Sequence, residues 1–318
     1  MSNNQNTPRF INPFTDFGFK KIFGQEANKD LLIDFLNELL ASQNQCIKDL
    51  TFKKNERLGQ TGLDRNVVFD LFCENEKGEK FTVELQKAKQ SFFKDRMLYY
   101  SSFSIQEQGI KGDWNYQLKA VYVIGILDFI IEEDQADKIV ISHNKIMDVD
   151  RNKVFYDKLS FITLQMPNFN KSAEELETNF DKWLFIIKNL NILQEIPERL
   201  QTKIFKKLFK VANYSAMNDN ERAKYEESLK YYRDLKNSLD TAFDDGKKES
   251  YDELMPLIEQ ERQKAEQERQ KAEQKDKDLQ KERQKMQTTI HNMKKSGLSK
   301  EEIVKLTGIS IDEINKLW

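Results

Sequence analysis

Cysteine and histidine are scarce in this chain of 318 residues, and their scarcity argues against several kinds of site. The two cysteines, Cys46 and Cys73, are far apart and form no CxxC pair, which removes both a disulfide framework and a cysteine-rich zinc site. His143 and His291 stand alone, so the sequence offers no multi-histidine metal site. Acid–base or metal chemistry in this protein has to rest on carboxylates.

The chain also lacks a long apolar run and a strong excess of charge of one sign. Its longest apolar run, residues 120–127, is eight residues long, whereas a membrane-spanning helix needs about 20. The opening MSNNQNTPRF has neither the basic nor the apolar region of a signal peptide, so we expect a cytoplasmic protein that makes no membrane contact. The net charge of −2 means that any contact with DNA must come from a local basic patch.

The apolar patterns predict an α/β fold. We expect a helix over residues 28–42, strands within 47–87, a helix over 89–109, strands over 118–127 and 159–166, and helices from 167 to about 250. This α-β-β-β-α-β order is typical of a mixed sheet flanked by helices, here with an added helical layer.

A charged segment follows this core. The stretch ERQKAEQ occurs at 261–267 and again at 268–274, and apolar residues recur every seven positions, but the second apolar position of a heptad is missing. We therefore predict that residues 251–294 form a long charged helical spacer. It is either a solvated single helix or a weak coiled coil that would make the protein a homo-oligomer.

The last part of the chain, residues 297–318, predicts a helical hairpin. Ser299 with Glu302 and Ser310 with Glu313 are two capping boxes, each at the start of a short apolar helix, in the outline of a helix-turn-helix. Such a hairpin would dock on a partner or bind DNA. Asp312 and Glu313 argue against DNA, because phosphates repel them.

The segment 67–86, VVFDLFCENEKGEKFTVELQ, predicts a β-hairpin with a distinctive polar face. Its odd-numbered positions are apolar and should face the core, whereas the even face carries Asp70, Thr82, Glu84 and Gln86. The loop Glu76-Lys77-Gly78 has a glycine that can adopt the left-handed conformation. Pairing about residue 77 places Asp70 directly opposite Glu84.

Two opposed carboxylates suggest a cation site. Their Cβ atoms would lie about 4.5–5.5 Å apart, where the charges repel unless a divalent cation takes oxygen ligands from both. A wet hairpin face rich in acidic residues is also common, so the pattern alone leaves a structural interpretation open. Basic and aromatic residues suited to phosphate and base contacts follow, although a solvated helix face also explains them: Lys87, Lys89, Arg96 and Tyr100.

Several stretches, in order, resemble the recombination-promoting nuclease (Rpn)/putative transposase family of the PD-(D/E)XK nuclease superfamily. They are INPFTDFGFKKIFG, DFLNELL, VVFDLFCENEKGEKFTVELQ, and QMPNF followed by DKWLFIIKN. The resemblance covers about residues 8–250, and the closing GLSKEEIVKLTGISIDEI is similar to tails common in that family. It implies a restriction-endonuclease-like core that hydrolyses DNA phosphodiester bonds with Mg²⁺ or Mn²⁺, in recombination, mobile-element spread or phage defence.

The resemblance also implies roles for individual residues. Asp70 matches the aspartate of the second core strand, Glu84 matches the acidic residue of the (D/E)XK strand, and Gln86 occupies its lysine position. The implied metal ligands are Asp70, Glu84 and the main-chain carbonyl of Leu85.

Gln86 departs from the superfamily pattern, although glutamine is usual in the family. Because an amide carries no charge, the lysine's role is either absent or moved to Lys89 or Arg96. In the DFGFKKIFG motif, we interpret Asp16 as a helix cap and Lys20 as a possible phosphate contact.

Three functions remain open at this stage. The chain is a metal-dependent DNA endonuclease, a catalytically silent DNA-binding module, or a partner-binding protein that works through its long helix and terminal hairpin. Metal-dependent nicking of a plasmid separates the first from the others, and DNA retention in EDTA separates the second from the third.

Overall fold

The computed structural model describes residues 8–43, 46–54, 56–57, 67–89, 92–110, 112–131 and 136–317. The helices run over Asp16–Phe23 (α1), Lys29–Leu39 (α2), Phe93–Gln106 (α3), Asn179–Asn189 (α4), Lys203–Val211 (α5), Asp219–Lys295 (α6), Lys300–Thr307 (α7) and Ile311–Leu317 (α8). The strands run over Leu50–Phe52 (β1), Glu56–Arg57 (β2), Val67–Val68 (β3), Leu71–Asn75 (β4), Lys80–Gln86 (β5), Val121–Leu127 (β6), Ile141–Asp148 (β7) and Lys153–Gln165 (β8).

The chain divides into two units, one up to Asp240 and one from Thr241 onward. The first contains a six-stranded sheet in the order β1-β4-β5-β6-β8-β7, and β2 and β3 pair separately. β5, β6 and β8 are parallel, whereas β4 is antiparallel to both β1 and β5, and β7 is antiparallel to β8. This mixed sheet flanked by helices confirms the predicted fold class. The predicted domain boundaries at residues 250, 294 and 297 stay predictions.

One face of the sheet packs against the helical layer predicted from the apolar stripes. The stripe of α2 is buried, and Trp183 of α4 lies between Phe23, Phe35 and Phe205. The indole Nε1 of Trp183 donates a hydrogen bond to Asp34 Oδ1 at 2.7 Å, which satisfies the polar atom of this large ring.

The opposite face of the sheet is buried as well, under α3. Phe93 and Met97 of α3 pack on Val121 and Val123 of β6, and every residue of β5 is buried. Helices on both faces are expected around parallel strands, which is why β5 is not half-exposed as its alternating sequence suggested. Gly125 lets α3 approach, because a Cβ added there would lie 2.8 Å from Cζ of Phe93.

The β4–β5 hairpin has the predicted register. Leu71 pairs with Val83 and Glu74 with Lys80, which continues to Asp70 opposite Glu84, and Gly78 has a φ of +79°. The expectation that Phe69 belongs to the odd, core-facing set was wrong. Phe69 packs instead on Phe72 and on Tyr100 of α3, because alternation is interrupted between the end of β3 and the start of β4.

Other elements differ from the prediction in extent. The strand expected at 159–166 is the end of the much longer β8, and β7 was not predicted. At the start of α1 the cap is Thr15, whose side chain accepts a hydrogen bond from the Gly18 backbone N–H, so the interpretation of Asp16 as the cap was wrong. Asp16 lies in the first turn, where its carboxylate is stabilised by the helix dipole.

In the second unit, α6 continues through the predicted spacer, and α7 and α8 form the predicted hairpin. Ser299 and Glu302 make the expected capping box, and Gly308 ends α7 in the left-handed conformation with φ +71°. Ile290, Ile303 and Ile314 form a small core. In the parts of the chain that the structure describes, every helix is too short or too polar to cross a membrane.

Candidate functional site

Asp70 and Glu84 meet where β4 and β5 diverge. The ladder begins at Leu71, so the backbone N–H of Leu85 has no partner on β4 and donates instead to Asp70 Oδ2 at 2.6 Å. The backbone N–H of Asp70 donates to Glu84 Oε1 at 3.4 Å. Because the N–H and C=O of one strand residue point to the same edge, the Leu85 carbonyl also points toward Asp70.

Burial and mutual repulsion shape the electrostatics of this pair. Glu84 is only 3% exposed, and its burial, followed by the negative charge of Asp70, raises its pKa from 4.5 to about 8. Burial also raises the pKa of Asp70, although the Leu85 N–H opposes this shift. Two neighbouring carboxylates whose pKa values are both raised form a site that a divalent cation would stabilise.

Arg96 of α3 binds two polar side chains of β5, Glu84 and Gln86. Its Nη1 donates to Gln86 Oε1 at 3.3 Å and its Nη2 pairs with Glu84 Oε2 at 3.4 Å. The guanidinium lies over the ring of Tyr100, 4.9 Å from its centroid, and Tyr100 packs in turn against Phe69. The structure therefore brings Arg96 and Tyr100 to the predicted site.

The lysine positions differ in their relation to the carboxylates. Lys20 of α1 and Lys87, which follows β5, both act electrostatically on Asp70 and lower its pKa. Lys87 is partly buried over the ring of Tyr231, 5.6 Å from its centroid, and burial lowers its own pKa. Lys89 is exposed on the segment beyond.

Asp16 is a third carboxylate near the site. It forms a 2.8 Å ion pair with Lys20 one turn later, and its charge raises the pKa of Asp70. The sequence placed Asp16 in a motif with Lys20 but not beside Asp70, because α1 and the hairpin meet only through tertiary packing. The i,i+4 spacing of Asp16 and Lys20 predicts their ion pair on α1 but gives no information about their distance from Asp70.

The donor atoms fit a hard divalent cation. Two carboxylates, a neutral amide and a main-chain carbonyl on adjacent positions are oxygen ligands of the kind that Mg²⁺ and Mn²⁺ prefer. Among the described residues there is no group of three His, Cys, Asp or Glu side chains placed to hold a metal ion, so the set would depend on a neutral oxygen such as the main-chain carbonyl of Leu85.

A family model described as PD-(D/E)XK nuclease family transposase matches residues 13–242. The matched span includes α1, the β4–β5 hairpin and α3, and thus every residue of the cluster described above. Comparison with curated proteins and with solved structures gave no match.

Proposed function

The chain belongs to the PD-(D/E)XK nuclease family transposases, and from this membership we propose that it is an Mg²⁺- or Mn²⁺-dependent DNA endonuclease. The observation that carries the proposal is the pair of facing carboxylates at the fork of β4 and β5, of which Glu84 is buried and Asp70 is partly buried. Removing carboxylates from water costs stability, and groups with such a cost are concentrated at functional sites. The proposed setting is recombination or the spread of mobile elements.

Asp70, Glu84 and the Leu85 carbonyl would hold the metal ion. When bound, it would polarise the scissile phosphate and lower the pKa of the attacking water. The Leu85 N–H donates to Asp70 Oδ2 and so orients the carboxylate of Asp70 beside Glu84. Glu84 has to give up a proton to serve as a ligand at neutral pH, because its pKa is about 8.

Arg96 is the residue we propose in place of the missing lysine. It contacts both Glu84 and Gln86, and its charge favours the ionised form of Glu84. Gln86 would then orient the attacking water with its amide. Tyr100 supports the guanidinium through a cation–π contact.

Lys20 and Lys87 are the proposed DNA phosphate contacts nearest the cleavage site. Both lie near the carboxylates, where the phosphate would approach. Such contacts supply affinity that does not depend on base sequence and falls as salt rises. Lys89 is assigned to the outer part of the same DNA contact, one step further along the chain.

Plasmid nicking tests this function. We expect the full-length protein to nick supercoiled DNA with Mg²⁺ and not in EDTA. Asp70→Asn and Glu84→Gln should each lower the rate more than about 100-fold, since loss of a ligand should exceed the 10–100-fold effect of removing a residue that supports one. Asp157→Asn, an exposed carboxylate on β8, is the matched control and should cut normally. Equal rates for all three variants would refute the assignment.

The Arg96–Glu84 ion pair supports one alternative, a catalytically silent DNA-binding module. Arg96 lies where it offsets the negative charge of ionised Glu84, and removing either partner alone would leave a buried charge unpaired, so a site that has lost its metal would still retain both residues. In that case the protein would retain DNA in EDTA, and Mg²⁺ would neither cause nicking nor change DNA affinity.

We propose that residues 251–294 act as a spacer and as the route to self-association. Support comes from the regular recurrence of apolar residues along α6, among them Ile258, Leu279 and Met286, which are all exposed in one chain. Sedimentation equilibrium over a range of concentrations tests the idea. Replacing these three residues by Gln should convert an oligomer to a monomer, and a wild-type chain that stays monomeric would contradict it.

A further inference from the structure

A cavity with several polar lining residues lies beside the candidate active site. β5 and β6 are parallel neighbours, and the backbone N–H of Asp128, which follows β6, donates to the Gln86 carbonyl at 2.9 Å. Adjacent strands are about 4.8 Å apart, so Asp128 is one strand away from Gln86 at the same edge of the sheet. The cavity has a volume of about 540 Å³ and is lined by Asp128, Tyr232 and Lys236, among others.

Only one carboxylate oxygen of Asp128, Oδ2, contacts other side chains of the described residues in this cavity. Tyr232 Oη donates to Asp128 Oδ2 at 2.8 Å, and Lys236 Nζ lies 3.9 Å from the same oxygen. Among the described residues no hydrogen bond or ion pair reaches Oδ1. A largely buried carboxylate with an oxygen facing a cavity is an acceptor that a ligand with N–H groups would satisfy.

The surroundings fit a nucleotide better than a peptide or a metal. The volume lies within the range of small-molecule sites. Lys236 lines the cavity and supplies positive charge for a phosphate, and Tyr232 supplies an aromatic ring. Helix α6 connects the two sites, because Tyr231 lies under Lys87 while the next residue binds Asp128.

We propose that this cavity binds one nucleotide of the DNA strand next to the cleaved phosphate, with an amino group of its base donating to Asp128. The inference rests on the proposed function, since the strand has to pass the catalytic carboxylates. Guanine presents two adjacent N–H donors on its Watson–Crick edge and suits a carboxylate best. Thymine has no amino group and presents mainly acceptors, which a carboxylate repels.

Equilibrium binding of dGMP and TMP to the full-length protein in EDTA tests the proposal. We expect dGMP to bind at least about tenfold more tightly than TMP, the discrimination typical of a good base contact. Asp128→Asn should remove this preference, because the amide can still accept from Tyr232 but has no charge. Asp157→Asn is the control and should leave both affinities unchanged.

A second variant keeps the test decisive if Asp128→Asn does not fold. Lys236→Gln should weaken dGMP several-fold and leave deoxyguanosine unchanged, since only the phosphate is lost. Equal affinities for dGMP and TMP, or wild-type affinity in Asp128→Asn, would overturn the proposal. The binding assay is run without metal and the nicking assay with Mg²⁺, so the two claims fail independently. Preferential dGMP binding without plasmid nicking refutes the nuclease function alone. Nicking without a preference for dGMP refutes the nucleotide site alone.

Discussion

Two antiparallel hairpins of the same sheet, β4–β5 and β7–β8, differ in burial and in the regularity of their pairing. The first is buried on both faces and keeps an uninterrupted register from Leu71 to Glu74. In the second hairpin, β7 is the edge strand of the sheet, the pairing has two register shifts around Ile146, and large apolar side chains such as Phe155 are exposed. The carboxylates that carry the proposed chemistry are thus in or next to the more deeply buried hairpin, where close packing can maintain a fixed ligand geometry.

Matched truncations of a phenylalanine in each hairpin should show the largest contrast. Phe72 of β4 is fully buried against Phe69, 5.4 Å between ring centroids, whereas Phe155 of β8 is 75% exposed. We expect Phe72→Ala to lower the free energy of unfolding by about 3–5 kcal/mol and Phe155→Ala to change it by less than about 0.5 kcal/mol. Urea titration measures both. Similar losses of unfolding free energy in the two variants would contradict the difference in packing between the hairpins.

Arg96 tests whether the polar face of the first hairpin depends on α3. Arg96→Gln should reduce nicking about 10–100-fold, because Glu84 and Gln86 both lose the group that orients them. Arg96→Lys should recover part of the rate, since the charge is restored without the forked geometry. Lys94→Gln is the charge-matched control, because Lys94 is exposed two residues earlier on α3 and lies on a different face of the helix. An unchanged nicking rate in Arg96→Gln would contradict the proposal that Arg96 replaces the superfamily lysine.

The raised pKa of Glu84 makes stability depend on pH. Glu84 titrates near 4.5 when unfolded and near 8 when folded, so between these values the native state holds a proton that the unfolded chain lacks. Without metal, stability should therefore fall as pH rises from about 4.5 to 8, by at most about 1.4 kcal/mol per pH unit. Glu84→Gln should remove this slope, as denaturant titrations across the range would reveal. A wild-type slope in that variant would contradict the assigned pKa.

The turns of the two hairpins should give a smaller contrast. Gly78 has φ +79° and Asn152 has φ +51°, so both lie in the left-handed region. Gly78→Ala should cost about 1–2 kcal/mol, because a Cβ is strained there. Asn152→Gly should change stability by only a few tenths of a kcal/mol, since asparagine tolerates this conformation and glycine adds flexibility. Thermal unfolding of both variants is the check, and a costless Gly78→Ala would show that the turn can rearrange.

The predictability of the two hairpins from sequence follows from the same difference. Regular alternation and a single glycine turn specified the β4–β5 register and placed Asp70 opposite Glu84. The β7 sequence ISHNKIMD shows no clean alternation, and its pairing is irregular, so no strand was predicted. Local pattern also specified the apolar stripe of α2 and the capping boxes of the terminal hairpin.

Contacts between distant segments could not be predicted. The packing of α3 over β5, which buries Glu84, depends on Gly125 in a strand 41 residues further along the chain. The approach of Asp16 to Asp70 and of Tyr232 to Asp128 likewise joins segments with no shared sequence pattern. Charge alone did not distinguish the catalytic candidates from solvated residues, because only burial separates them.

Calorimetric titration of the full-length protein with Mn²⁺ at pH 7 tests the central claim most directly, that Asp70 and Glu84 hold a metal ion together. Repeating it in two buffers of different ionisation enthalpy gives the number of protons released. We expect one high-affinity ion per chain and release of close to one proton, because Glu84, with a pKa of about 8, is mostly protonated at pH 7 before the metal binds. Glu84→Gln should bind weakly and release none. Tight Mn²⁺ binding by Glu84→Gln, or no binding by the wild type, would contradict the account.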